Sequence, residues 1–196
     1  MLQNKPETAK LITRGIALEY VTLGWNIVGV FVVVAAAIAA HSVALAGFGL
    51  DSLIEIFASV IVLWQLKSIN KDKEKRAEKL IGYAFFALAA YVSLQIIFAL
   101  QSGVHPKHSV IGIVWLALTA VAMLLLARGK RLTGEAIPNV VLLSEAKVTL
   151  IDAALAIAVL IGLVVNIVFG IWFADVLAAI VIVYYGVKEG LHAVNG

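Results

Sequence analysis

The chain has 196 residues, of which 63% are hydrophobic and 14% are charged, and its mean hydropathy is +1.04. Soluble domains are about half apolar and about a quarter charged, so the composition excludes an ordinary soluble domain and indicates an integral membrane protein. Cysteine is absent, which excludes disulfides, thiolate metal sites and cysteine nucleophiles. The short motifs of metalloproteases, serine hydrolases and paired-aspartate proteases are absent too, so we expect no enzyme and no permanent cofactor.

Six apolar runs are long enough to cross a bilayer as helices, which takes about 20 residues each. We therefore predict an all-α polytopic membrane protein with helices at 14–38, 43–66, 80–102, 109–127, 138–164 and 170–190. Four of the breaks carry clear turn or charge signals, whereas the fifth, near 166–170, is weakly marked. No polar stretch is long enough for a soluble domain, so residues 1–196 are expected to form a single transmembrane domain.

The distribution of lysine and arginine predicts the orientation. Lys107 lies on one side of the predicted bundle and Lys147 within helix 5. The other thirteen fall on the opposite side: Lys5, Lys10, Arg14, Lys67, Lys71, Lys73, Lys75, Arg76, Lys79, Arg128, Lys130, Arg131 and Lys188. Because cytoplasmic loops are enriched in these residues, both termini are expected in the cytoplasm, with the protein in a bacterial-type inner (plasma) membrane. This asymmetry accounts for the net charge of +3 without nucleic acid as a partner.

Acidic residues inside membrane spans are rare and are functional candidates by default. Asp51 and Glu55 in helix 2 are four residues apart and share one helix face, and Asp152 lies about half-way along helix 5. These three carboxylates can meet near the bilayer midplane, where a cation or protons would relieve their repulsion and desolvation. The alternative is that the three acids form a buried, hydrogen-bonded polar cluster. For such a structural role, Ser or Asn would have a lower desolvation cost than Asp or Glu.

Two further acids, Glu19 and Glu145, are expected nearer the cytoplasmic face and could line a vestibule. Glu145 is seven residues from Asp152, or about 10 Å at about 1.5 Å per residue, too far to share the first coordination shell of one ion. Alternatively, both acids snorkel or form ion pairs, for instance with Lys147. Asp175, near the start of helix 6, would favour the positive end of that helix.

These features together resemble the cation diffusion facilitator (cation efflux) family. The matching segments are SVALAGFGLDSLIEIFAS, LLSEAKVTLIDAALAIAVLIGL and WFADVLAAIVIVYYGVKEGLHAV. The helix 2 segment is most similar to a short branch that lacks the C-terminal cytoplasmic domain and includes a vertebrate synaptic-vesicle zinc transporter. The missing domain implies that any homodimer forms through the transmembrane helices.

The resemblance implies a tetrahedral metal site with two ligands in helix 2 and two in helix 5. On this chain it implies Asp51, Glu55 and Asp152 as ligands, with Glu55 replacing the usual Asp. The fourth position falls on Val148, which cannot bind a metal. The site would then have three protein ligands completed by water or backbone, or it would draw on accessory residues, for which the candidates are Glu145, Glu19, Thr149 and Lys147.

The residues and the resemblance together predict a secondary active transporter that exports a divalent cation by proton antiport with alternating access. Oxygen ligands favour manganese or iron(II), whereas the family branch favours zinc, which we expect first. The predicted partners are the metal ion, protons, the lipid bilayer and a second copy of the chain. The alternative is a non-transporting membrane assembly or regulatory protein with a degenerate cation site.

Overall fold

A computed structural model describes residues 5–67, 71–102, 105–137 and 140–195. Within these ranges the chain forms six α-helices: α1 (Lys5–Ala40), α2 (Val43–Lys67), α3 (Lys71–Ser102), α4 (Val110–Ala136), α5 (Val140–Phe169) and α6 (Phe173–Asn195). Each contains a stretch that is long and apolar enough to cross a membrane. The prediction of an all-α protein with six transmembrane helices is therefore confirmed.

Several helices continue beyond their apolar runs. The α3 helix begins at Lys71 instead of near residue 80, and α4 continues to Ala136 instead of ending near residue 127. Lysine, arginine, glutamate and alanine are all strong helix formers, so the charge that ends an apolar run does not end the helix. Side chains of several predicted cytoplasmic cations lie outside the described residues (Lys5, Lys67, Lys71, Lys73, Lys75 and Arg76), and the cytoplasmic orientation stays a prediction.

The α2 helix occupies the centre of the bundle. It contacts α1, α3, α5 and α6, while α4 packs mainly against α5 and α1, and α3 packs mainly against α6. The α2 span is 61% buried, the largest share among the six spans. The polar side chains of Asp51, Ser52, Glu55 and Ser59 on α2 are accordingly buried among the helices.

Asp175 in the first turn of α6 ties that helix to the start of α2. Its Oδ2 accepts hydrogen bonds from the backbone amides of Val43, at 2.9 Å, and Ala44, at 3.3 Å. Its Oδ1 accepts a hydrogen bond from the Ser42 hydroxyl. These contacts satisfy amides that the first turn of α2 leaves unpaired, so Asp175 has a structural partner in α2 as well as its place at the start of α6.

Candidate cation site

Three carboxyl groups are buried where α2 passes α5. Asp51, Glu55 and Asp152 are 6%, 3% and 3% exposed, respectively. The two acids of α2 share one face because they are four residues apart, and the Asp152 carboxyl lies near enough to interact electrostatically with both. The three predicted ligands thus lie in one buried region, but they are not grouped closely enough in this arrangement to hold one metal ion. We refer to them below as the carboxyl cluster.

The carboxyl cluster has fewer hydrogen-bond donors than its oxygens require. Glu55 Oε1 and both oxygens of Asp152 are buried and have no hydrogen-bond partner. Glu55 and Asp152 are close enough to form a hydrogen bond with each other, but two ionised carboxylates can only accept, so one would have to carry a proton. An unpaired buried carboxylate is very unfavourable, so the cluster needs either protons or a cation.

Asn26 in α1 belongs to this site, although the sequence analysis did not predict it as a site residue. Its Nδ2 donates to Glu55 Oε2 at 3.0 Å and to the backbone oxygen of Thr22 at 3.1 Å. Asn26 is 2% exposed, and its two hydrogen bonds hold one oxygen of Glu55 in place. The signal was present in the sequence, since Glu19, Thr22 and Asn26 are three and four residues apart and therefore form a polar stripe on one face of α1.

A buried lysine lies beside the carboxyl cluster. Lys130 Nζ is 3.1 Å from Glu19 Oε2, 3.3 Å from Glu145 Oε1 and 3.0 Å from Thr149 Oγ1. Lys130 and Glu19 are both fully buried. Because these residues come from α1, α4 and α5, the ammonium group links three helices, and we refer to the four residues as the Lys130 cluster. Its charge also acts on Glu55.

The prediction that helix 4 ends near residue 127, which left Lys130 in a loop, is wrong. The α4 helix continues through it, and the side chain points inward while that of the adjacent Arg131 is 73% exposed. Helical periodicity could have revealed this, because Lys130 follows buried Met123 and Leu126 at intervals of seven and four residues. A helix boundary predicted from hydropathy alone places the end of helix 4 too early.

The accessory residues have a different partner from those expected. Glu19, Glu145 and Thr149 all bind Lys130, so in this structure their described contacts are with the ammonium group. The ion pair of Glu145 is with Lys130 instead of Lys147, which is exposed. These residues thus surround a positive charge, which is the ammonium group of Lys130 and not a metal ion.

The atoms of the carboxyl cluster that could bind a metal ion are all oxygen atoms. All four histidines, His41, His105, His108 and His192, are exposed, and Val148 at the predicted fourth ligand position has no metal-binding atom in its side chain. In the arrangement that the described residues adopt, no three histidine, aspartate or glutamate side chains are grouped closely enough to hold one metal ion. The assignment of the three carboxyls as metal ligands therefore stays a prediction.

Six helices that are long and apolar enough to cross a membrane define a polytopic membrane protein, and two adjoining groups of ionisable side chains are buried within it. Residues 20–194 match the cation efflux transmembrane domain. The chain therefore belongs to the cation efflux family, whose members are transporters and not enzymes. The match confirms the family resemblance and supports a divalent cation as the transported substrate.

A search of curated proteins finds no match to this chain. The similarity to the branch that contains the vertebrate zinc transporter consequently stays a prediction, and so does the identity of the metal.

Proposed function

We propose that this protein is a secondary active transporter that exports a divalent metal cation, bound by Asp51, Glu55 and Asp152. The observation that carries this proposal is the burial of three adjoining carboxyls with Glu55 Oε1 and both Asp152 oxygens unpaired. A divalent cation supplies both the positive charge and the electron-pair acceptor that these oxygens lack. Rocking of the helices around the cluster would then expose the ion to either side in turn.

Zinc is the first cargo we propose, with manganese and iron(II) as the competing candidates. The family branch favours zinc, whereas the oxygen donors of the carboxyl cluster suit harder cations such as manganese. Competition for uptake between equal concentrations of zinc, manganese and iron(II) in proteoliposomes will rank them. Preferential uptake of manganese or iron(II) would show that donor chemistry, and not the family branch, predicts the cargo.

Proton antiport is the proposed energy coupling, because protons and the metal compete for the same carboxylates. Metal ligands must be deprotonated before they bind, so metal entry releases protons. An acidic lumen should drive metal uptake into proteoliposomes, since protons leave as the metal enters, and a proton ionophore that collapses the gradient should remove this drive. Metal uptake that does not respond to the imposed pH gradient would contradict antiport.

The alternative function is a non-transporting membrane assembly or regulatory protein, and Val148 at the fourth ligand position favours it. Calorimetry of the purified protein separates the two functions. A transporter should bind the metal and lose that binding in Asp51→Ala, whereas a scaffold should bind none. A homodimer formed through the transmembrane helices is part of the proposal, and the mass of the detergent-solubilised protein tests it.

A further inference from the structure

The surroundings of Lys130 have the composition of a cation-binding site. Two carboxylate oxygens and one hydroxyl oxygen lie 3.0–3.3 Å from its Nζ. Oxygen donors of these types are what hard metal cations prefer. The ammonium group is therefore surrounded by oxygen atoms of the types that a metal cation binds.

Two acidic side chains share one basic group at this site. The carboxyl groups of Glu19 and Glu145 both contact the single ammonium group of Lys130. Glu19 is fully buried. Its second carboxyl oxygen, Oε1, has no hydrogen-bond partner. One ammonium group thus leaves an unused hydrogen-bond acceptor in the pocket.

We propose that Glu19, Glu145 and Thr149 form a second cation site, and that the ammonium of Lys130 is its permanent, tethered occupant. A tethered ion competes with any free cation at very high effective concentration. Lys130 therefore keeps a divalent cation out of this pocket and limits the protein to one transported ion at a time. Since the charge of Lys130 also reaches Glu55, the tethered cation contributes to the potential at the carboxyl cluster.

This site is separate from the one proposed for transport, because the two groups share no residue. The limit of one transported ion rests on the proposed function. The existence of the second site does not, since it depends only on the contacts of Lys130.

Manganese binding to the full-length protein tests the second site. We expect Lys130→Met, whose side chain has a similar length and no charge, to bind one more Mn²⁺ per chain than the wild type, counted by equilibrium dialysis. The extra ion should disappear in the triple variant K130M/E19Q/E145Q, which removes the carboxylates. Lys130→Arg, which keeps the positive charge, should bind the same number as the wild type. An unchanged count in folded Lys130→Met would overturn the proposal.

Two further measurements keep the result unambiguous. In K130M/D51N, which disables the carboxyl cluster, the additional Mn²⁺ should persist; its loss would show that it had bound at the carboxyl cluster and would overturn the second site. A wild-type count of zero, with one ion in Lys130→Met, would instead contradict only the proposed transport site. If Lys130→Met is unfolded without metal, recovery of a monodisperse, folded protein with Mn²⁺ supports the second site, and no recovery overturns it.

Discussion

The carboxyl cluster and the Lys130 cluster lie next to each other, and both bury acidic side chains, yet they are neutralised in different ways. Glu19 and Glu145 pair with a cation that belongs to the chain, whereas Glu55 receives one neutral donor, Asn26, and Asp152 has unpaired oxygens. A covalently attached cation cannot leave, so the Lys130 cluster is suited to holding helices together. The carboxyl cluster must take its neutralising charge from outside, as a transport site requires.

The largest expected effect is at the carboxyl cluster. Asp152→Ala and Asp51→Ala should each abolish metal transport in proteoliposomes, because each removes a proposed ligand from a set that already lacks a fourth. Loss of a group that only supports a ligand costs about 10- to 100-fold in affinity, so loss of a ligand should cost more than that.

The matched control is Glu135→Gln, which removes an acid that is 50% exposed and lies outside both clusters. It should transport metal like the wild type. Normal transport by a well-folded Asp152→Ala would show that the proposed site is wrong.

The second-largest expected effect is a loss of protein stability when Lys130 is replaced. Lys130→Met should lower the free energy of unfolding by about 3–5 kcal/mol in metal-free detergent solution, because it leaves two carboxylates buried without their counter-ion. Replacing Glu19 and Glu145 with Gln in the same variant should restore part of this loss. Chemical unfolding followed by circular dichroism measures both changes.

The neighbouring residue provides the comparison for this prediction. Arg131 forms an exposed ion pair with Glu135, and exposed pairs contribute little because water screens them. Arg131→Met should therefore leave the unfolding transition unchanged. Equal destabilisation by the two substitutions would contradict the distinction between a buried and an exposed ion pair.

The smallest effect is expected at Asn26, which supports the carboxyl cluster without being a proposed ligand. Asn26→Ala removes the donor to Glu55 Oε2 and should weaken metal affinity by about 10-fold, at the lower end of the range for groups that orient ligands. The number of ions bound should not change, and calorimetry gives both quantities.

Ser93→Ala serves as the control for Asn26→Ala. The Ser93 hydroxyl also bonds to a backbone carbonyl of its own helix, but it lies on α3, which does not contribute to either cluster. If Ser93→Ala weakened metal binding as much as Asn26→Ala, a general loss of packing would explain the result better than a role at the site.

Much of the architecture could be predicted from local patterns. Long apolar runs predict spanning helices because each helix must satisfy its own backbone in lipid. The spacing of Asp51 and Glu55 puts both on one face of α2, which the structure buries at the centre of the bundle. The role of Lys130 could not be predicted in the same way, because its charge follows an apolar run and resembles the start of a loop.

Six apolar helices and the acids within them follow from the amino-acid sequence alone, since length, hydropathy and helical spacing are local properties. Which of these acids has a counter-ion depends on how the helices pack. Lys130 meets Glu19 across 111 residues of chain. Helical spacing places Lys130 on the same face of α4 as Met123 and Leu126, but it does not indicate that this face meets α1 and α5. Helix packing thus pairs Glu19 and Glu145 with the ammonium of Lys130 and leaves both oxygens of Asp152 without a hydrogen-bond partner.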